Sequence, residues 1–154
     1  MPDKQTRVDR ESAAMAAKQF VLANRTAMEA ILRPHGLGGT QWWVLSQLAT
    51  GDAVRQRDLA GALNVERATA SELVLTLVRK GLVEQTPDPG DLRQKLLHLT
   101  DAGEQLWASL PDPLERLYDI AFEGTSATDL TTIARVLSAA TEQLLATRNE
   151  RTSL

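Results

Sequence analysis

Apolar residues recur at helical spacing over both ends of the chain and shift to a shorter rhythm only near its centre. From Val8 to Leu32, Met15, Phe20, Leu22, Met28, Ile31 and Leu32 fall among good helix formers, with no Gly or Pro before Pro34. This predicts one long helix, longer than a small core requires. The stretch Arg33-Pro34-His35-Gly36-Leu37-Gly38-Gly39 breaks it. Thr40 is the expected N-cap of a short helix through Leu48, apolar at Trp42, Val44, Leu45 and Leu48. A second short helix, Gln56 to Leu63, is set to bury Leu59, Ala60 and Leu63. After the tight turn Asn64-Val65-Glu66, a third runs to Lys80 with Leu73, Leu77 and Val78 inward and Gly81 as its cap. Helix, three-residue turn, helix is the spacing of a helix-turn-helix.

The rhythm then changes. Leu82-Val83-Glu84-Gln85-Thr86 alternates in part, Pro87-Asp88-Pro89-Gly90-Asp91 is a turn cluster, and Leu92 to Leu99 reads as a return strand. A β-hairpin therefore follows the third short helix directly. Thr100 is the expected cap of another helix, with Glu104 favourably placed near its N-terminus, and Pro111 and Pro113 kink or divide it. Ser126 or Thr128 starts the last helix, with Leu130, Ile133, Val136, Leu137, Leu144 and Leu145 on its apolar face. The predicted order is ααααββαα, a mainly α fold with a small β-hairpin.

Composition narrows the chemistry. The 154 residues include no cysteine, which removes disulfides, thiolate metal sites, cysteine nucleophiles and thiol redox sensing together. Two histidines, His35 and His98, are too few for a transition-metal cluster, so no metal or cofactor is expected. With a charged N-terminus and no run of 18 apolar residues, the expectation is a cytoplasmic protein without signal peptide or membrane span. Net charge is −3, but binding to a polyanion depends on where positive charge sits, not on its sum. From Arg55 to Thr100 seven Lys/Arg face six acidic residues, so that segment is +1 and the remainder −4.

A helix-turn-helix followed at once by a hairpin is a winged helix. The B-DNA major groove admits one α-helix, while a projecting hairpin reaches the adjacent minor groove. Three segments also resemble the MarR family. Gln41-Trp42-Trp43-Val44-Leu45 is similar to its short helix ahead of the reader. Asp58-Leu59-Ala60-Gly61-Ala62-Leu63-Asn64-Val65, with Leu77-Val78-Arg79-Lys80-Gly81-Leu82-Val83, resembles its helix-turn-helix and exit. Asp91-Leu92-Arg93-Gln94-Lys95, with Leu99-Thr100-Asp101-Ala102-Gly103, resembles its wing and the helix start behind it. The resemblance runs from Thr40 to about Gly103 and implies a non-catalytic transcriptional regulator, a repressor by expectation, acting on double-stranded DNA.

By that resemblance Arg93 enters a minor groove, with Asp91 holding its guanidinium and Lys95 nearby; an ordinary surface ion pair is the alternative. Arg67, Ala68, Thr69 and Ser71 fall on the turns that meet base edges, though Thr69 and Ser71 also suit plain capping. Gln56 and Arg57, opening the preceding helix, suit phosphate. Glu66 and Glu72 oppose this unless they pair internally or accept from a cytosine amine.

The flanking helices, over 5–35 and 101–148, have apolar faces that need cover. They imply an isologous homodimer around the 40–100 winged helix, all within one domain over 1–154. Two copies would read a pseudo-palindrome with half-sites about one helical turn apart. Trp42 continues the apolar stripe with Leu45, so core packing is its first reading. Trp43 lines a cavity of the kind family members use for small aromatic or phenolic ligands, or else packs at the dimer region. His35, in the adjoining break, is a ligand contact or a solvated loop histidine, and His98 is expected at the surface. Trp42, Trp43 and His35 are thus the candidate effector residues. An enzyme lacks support, since no nucleophile motif is present. A winged helix that contacts only protein remains as the competing reading.

Overall fold

The computed structural model describes residues 3–152, and side-chain surroundings for residues 3–147. The chain divides into two compact units, one up to Leu117 and one from Tyr118 onward. In the first, α1 (Lys4–Leu32) leads through a 3-10 turn (Arg33–His35) into α2 (Gly39–Leu48). A two-residue strand β1 (Val54–Arg55) precedes α3 (Gln56–Leu63) and α4 (Arg67–Arg79). The hairpin β2 (Val83–Asp88) and β3 (Asp91–Leu99) follows, then α5 (Asp101–Ser109) and the start of α6 (Pro113–Ala121).

The core gathers one or two faces from each element. Leu32, Val44, Leu45, Leu59, Val74, Leu77 and Leu97 are all at most 1% exposed. Burying such side chains is worth about 1.5–3 kcal/mol each, so α2, α3, α4 and β3 are fixed to one another before any surface contact is counted. Most of α1 contributes little. Only Leu32 at its end is buried, while Val8, Met15, Phe20, Val21 and Leu22 are exposed.

Local chemistry sets the joints. Asn64 adopts φ 52 at the end of α3, and its N–H and that of Val65 return to the Ala60 and Gly61 carbonyls, which closes the tight turn ahead of α4. Gly81 takes φ 71 just after α4, as the sequence anticipates. Thr100 caps α5 by accepting the Gly103 N–H at 3.1 Å. The Pro111 and Pro113 region divides the following helix outright. Pro113 opens α6, and the Asp112 carboxylate accepts the Leu114 and Glu115 N–H groups.

Two expectations need correction. The helix expected to start at a Thr40 cap starts at Gly39 instead, with Thr40 inside its first turn. Gln41 reaches back to accept the Gly38 N–H at 3.3 Å, the return bond of a capping box, while no side chain caps the first turn. The hairpin also has a third strand. β1 pairs antiparallel with β3, giving the sheet order β1-β3-β2, and β2 extends through Pro87 and Asp88. Pro87 is tolerated because β2 is an edge. The true turn shrinks to Pro89-Gly90, with Asp88 opposite Asp91.

In the second unit, the Tyr118 and Phe122 rings lie 6.2 Å apart and Gly124 turns the chain at φ 73. α7 (Ala127–Thr152) begins with a reciprocal cap: Ser126 accepts the Asp129 N–H and donates to its carboxylate at 2.6 Å. Its Ile133, Val136, Leu137, Leu144 and Leu145 are all exposed. Among the described residues no helix is long and apolar enough to cross a membrane, and no group of three metal-ligating side chains is placed to hold an ion.

Candidate nucleic-acid interface

The face formed by α3, α4 and the wing carries an open cleft of about 280 Å³. Its walls are Gln56, Arg57 and Ala60 of α3, Arg67, Ala70 and Ser71 of α4, and Arg93, Gln94 and Lys95 of β3. Four cationic side chains line it and no carboxylate does. Six of the nine DNA-contact residues expected from sequence meet here: Gln56, Arg57, Arg67, Ser71, Arg93 and Lys95. Ala68 and Thr69 do not line it. A helix turns about 100° per residue, so residues 67, 70 and 71 share the cleft face and 68 and 69 lie beside it, exposed.

Ladder irregularity explains how the wing presents Arg93. Asp88 pairs with Asp91, yet the next pair is Pro87 with Lys95, so Leu92, Arg93 and Gln94 form an unpaired bulge. Leu92 is 80% exposed at this projection. The expected clamp of Asp91 on the Arg93 guanidinium is absent. Asp91 accepts the backbone N–H of Arg93 at 3.1 Å, a short Asx-type closure that the bulge brings within reach, and the guanidinium has no carboxylate partner among the described residues.

The wing is held instead by a pair that sequence reasoning missed. Asp88, 5% exposed, accepts from Gly90 N–H at 2.8 Å and from Arg55 Nε at 2.8 Å. The Gly90 N–H first, then the Arg55 guanidinium, outweigh desolvation and hold this carboxyl below the usual aspartate range. Arg55 lies on β1, directly before α3, so the pair pins the hairpin turn to the start of the helix-turn-helix. The readable signal was Asp88 two residues before Gly90, where an aspartate commonly caps a turn.

The two glutamates stand outside the cleft. Glu66 is the residue before α4 and makes no side-chain cap, and Glu72 meets Arg79 at 3.5 Å with both side chains exposed. Arg57 lies 3.3 Å from Asp58, also in the open. Such exposed pairs are worth little and yield readily to a phosphate. Neither Thr69 nor Ser71 caps α4.

The candidate effector residues separate. Trp42 is 7% exposed and its ring centroid lies 5.7 Å from that of Trp107 on α5. Trp42, Trp107, Leu110, Pro111 and Asp112 border a cavity of about 130 Å³. Trp43 packs half-buried against the core and His35 sits in the 3-10 turn; neither borders that cavity. Trp42, read first as core, is thus both core and cavity wall, and Trp107 was not singled out at all. His98, expected at the surface, is half-buried with its ring 3.1 Å from the Thr86 hydroxyl.

Comparison with known proteins meets the same stretch. The HTH-type transcriptional regulator YdcH of Bacillus subtilis is 40% identical over 65 residues, 42% of this chain and 44% of YdcH. The transcriptional activatory protein BadR of Rhodopseudomonas palustris is 31% identical over 100 residues, 63% of this chain and 57% of BadR. The chain thus spans about half the length of these two relatives. In fold it is similar to S. aureus MepR, solved as a DNA complex, with TM-score 0.78 at 20% identity, covering 84% of this chain and 96% of MepR. A family model described as MarR family matches residues 35–94. That stretch is the winged helix itself, from the break after α1 to the wing bulge, and over it the chain is similar to the MarR family.

Proposed function

We propose that the chain is a sequence-specific DNA-binding transcriptional regulator. The observation that carries this is the cleft between α3, α4 and the wing, where Arg57, Arg67, Arg93 and Lys95 converge without an acidic neighbour in its walls. On a chain of net charge −3 such a concentration is directional: it draws a polyanion to one face while the rest repels it. Arg67 at the start of α4 is the base-edge reader, able to make a bidentate contact to guanine. Arg93 on the projecting bulge enters the minor groove, and Arg57 and Lys95 take phosphates.

The exposed apolar residues of α1 and of α7 supply the cover argument for a homodimer, each helix burying its stripe against a second copy. Two cationic clefts then face a pseudo-palindrome in the cytoplasm, where the chain acts as a repressor. A flat aromatic acid or phenol entering beside Trp42 and Trp107 releases it. BadR is named as an activator, so the sign of regulation is itself a target of measurement.

The test is fluorescence anisotropy with a labelled duplex from the DNA upstream of the chain's own coding sequence, against a scrambled duplex at the same salt. Preference for the first by 10³-fold or more is the range of specific regulators. Equal binding to both, or none, overturns the proposal and favours a winged helix that contacts protein. Sedimentation at micromolar concentration reads the dimer, and a stable monomer refutes it.

A further inference from the structure

A chain of polar side chains crosses the floor of the cationic cleft and ties the wing to the recognition helix. Lys95 Nζ donates to Gln85 Oε1 at 3.3 Å, Gln85 Nε2 donates to Gln56 Oε1 at 2.7 Å, and Gln56 Nε2 donates to Ser71 Oγ at 3.4 Å. Four elements take part in turn: β3, β2, α3 and α4. Gln56, Ser71 and Gln85 are half-buried, so the two links among them are shielded from competing water more than the exposed link to Lys95 is. Within the relay, Gln85 bonds both the Lys95 cation and Gln56 of α3, and it does not itself line the cleft.

From this arrangement we infer that Gln85 is a positioning residue for DNA recognition, setting the spacing between the wing and α4 and holding the Lys95 ammonium at the cleft wall. The inference rests on the DNA-binding reading for its consequence, while its geometric half stands without it. Direction matters in the relay. The short central bond fixes which way each amide points: Gln85 offers its oxygen to Lys95 because its nitrogen is committed to Gln56. Gln56 in turn is oriented with its nitrogen toward Ser71, leaving the Ser71 hydroxyl hydrogen free to donate into the cleft. A ligand phosphate that pulls Lys95 away breaks only its own 3.3 Å link to Gln85 and leaves the glutamine links in place, so the cation is aimed without being neutralised.

Two substitutions separate positioning from packing. Gln85→Leu keeps most of the volume and removes both links. Gln85→Glu keeps the acceptor for Lys95 and abolishes the donor; the relay survives if Gln56 turns its amide over, donating to Glu and accepting from the Ser71 hydroxyl. The relay therefore predicts loss in the leucine variant and rescue in the glutamate variant. For each, the ratio of affinity for the upstream duplex to that for a scrambled duplex is measured, with the melting temperature beside it. Gln85→Leu is expected to lower the ratio about tenfold, while scrambled binding, set by the number of cations, stays within about twofold. Gln85→Glu is expected to keep the ratio near that of the parent.

The geometric half is read without DNA. The chain has no cysteine, so Ala68→Cys and Leu92→Cys accept spin labels on α4 and on the wing bulge with no background. With labelled chains diluted in unlabelled protein, dipolar spectroscopy gives the distance distribution between the two elements. Gln85→Leu is expected to broaden it and Gln85→Glu to leave it narrow. An unchanged width in the leucine variant overturns the inference whatever the DNA results. So does a parent that discriminates between duplexes and a leucine variant that discriminates equally well. If the parent binds both duplexes alike, the regulator proposal fails, and the label distances still decide whether Gln85 sets the spacing.

Discussion

Gly103 sits in the first turn of α5, at the point where that helix passes closest to the strand leaving α4. A methyl built there overlaps the Leu82 carbonyl oxygen and lies 3.1 Å from the carbonyl carbon. The obstacle is backbone, and it is pinned: the Leu82 carbonyl accepts the Thr100 N–H at 3.1 Å, while Gly103 N–H itself donates to the Thr100 hydroxyl at 3.1 Å. Gly103→Ala therefore has to move the α5 start and the β2 entry together. Ala is favoured over Gly in a helix by about 1 kcal/mol, and overpacking a well-filled site costs about 1–3 kcal/mol. With a fixed carbonyl in the way the cost falls at the upper end, so the net loss is about 2 kcal/mol. For a chain of this size that lowers the melting temperature by about 4–8 °C.

Gly61 is the control. It lies in α3 with nothing within 4 Å of an added Cβ, so Gly61→Ala is expected to stabilise by about 0.5–1 kcal/mol. Thermal unfolding followed by circular dichroism, with tryptophan emission reporting on the Trp42 and Trp107 pair, measures both. A Gly103→Ala protein that melts at or above the parent temperature refutes the close approach of α5 to Leu82.

Three further outcomes follow from the site. Arg93→Ala is expected to weaken binding to the upstream duplex by about 1–3 kcal/mol and leave the melting temperature unchanged, since its guanidinium holds nothing in the fold; equal affinity in mutant and parent takes the wing out of the interface. Because the folded carboxyl of Asp88 lies below its ordinary value, its contribution is present above that value and lost as pH falls below about 4. The melting-temperature gap between parent and Asp88→Asn is thus expected to be constant near neutrality and to narrow as the pH falls below the ordinary aspartate range, and a gap that widens on acidification refutes the assignment. Aromatic carboxylates or phenols are expected to quench tryptophan emission and release DNA, with Trp107→Ala weakening both more than Trp43→Ala; the reverse order moves the effector site away from Trp42.

Much of this was legible in the residues because helical periodicity and punctuation agree. The Pro/Gly break after Leu32, the left-handed Asn64, the Gly81 stop and the Thr100 cap each mark a joint that the backbone then makes. What escaped has a common physical origin. β1 is two residues long, too short for any alternation, and exists only because β3 offers it an edge. Pro87 and Asp88 read as turn because local propensity favours it, yet pairing with Asp91 and Lys95 draws them into the strand. Trp107 fell outside the reading because its partner is 65 positions away in sequence, and ring packing across that distance leaves no local trace.

The same division between local and assembled chemistry governs the cleft. Its residue types were legible one by one: Arg67 was singled out by its place on the helix, and Arg93 and Lys95 by resemblance to a family wing, and all three line the cleft. Their relation to the fold was not, because Arg93 was assigned the carboxylate nearest in sequence and Arg67 and Lys95 no partner at all. Asp91 was matched to the Arg93 guanidinium two residues on, but the carboxylate spends itself on backbone. The carboxylate that does bind a guanidinium is Asp88, whose Arg55 lies 33 positions earlier, and the glutamine that steadies Lys95 lies 10 positions earlier on the neighbouring strand. The consequence is a division of labour. Among the described residues Arg67 and Arg93 have no carboxylate partner, while a buried carboxylate and a half-buried amide, both outside the cleft walls, tie the wing to the elements around it. Charge counted along the chain, +1 over the winged helix, records none of this. Four cations from three elements around one cleft, with no carboxylate in its walls, make a site that the sum leaves almost neutral.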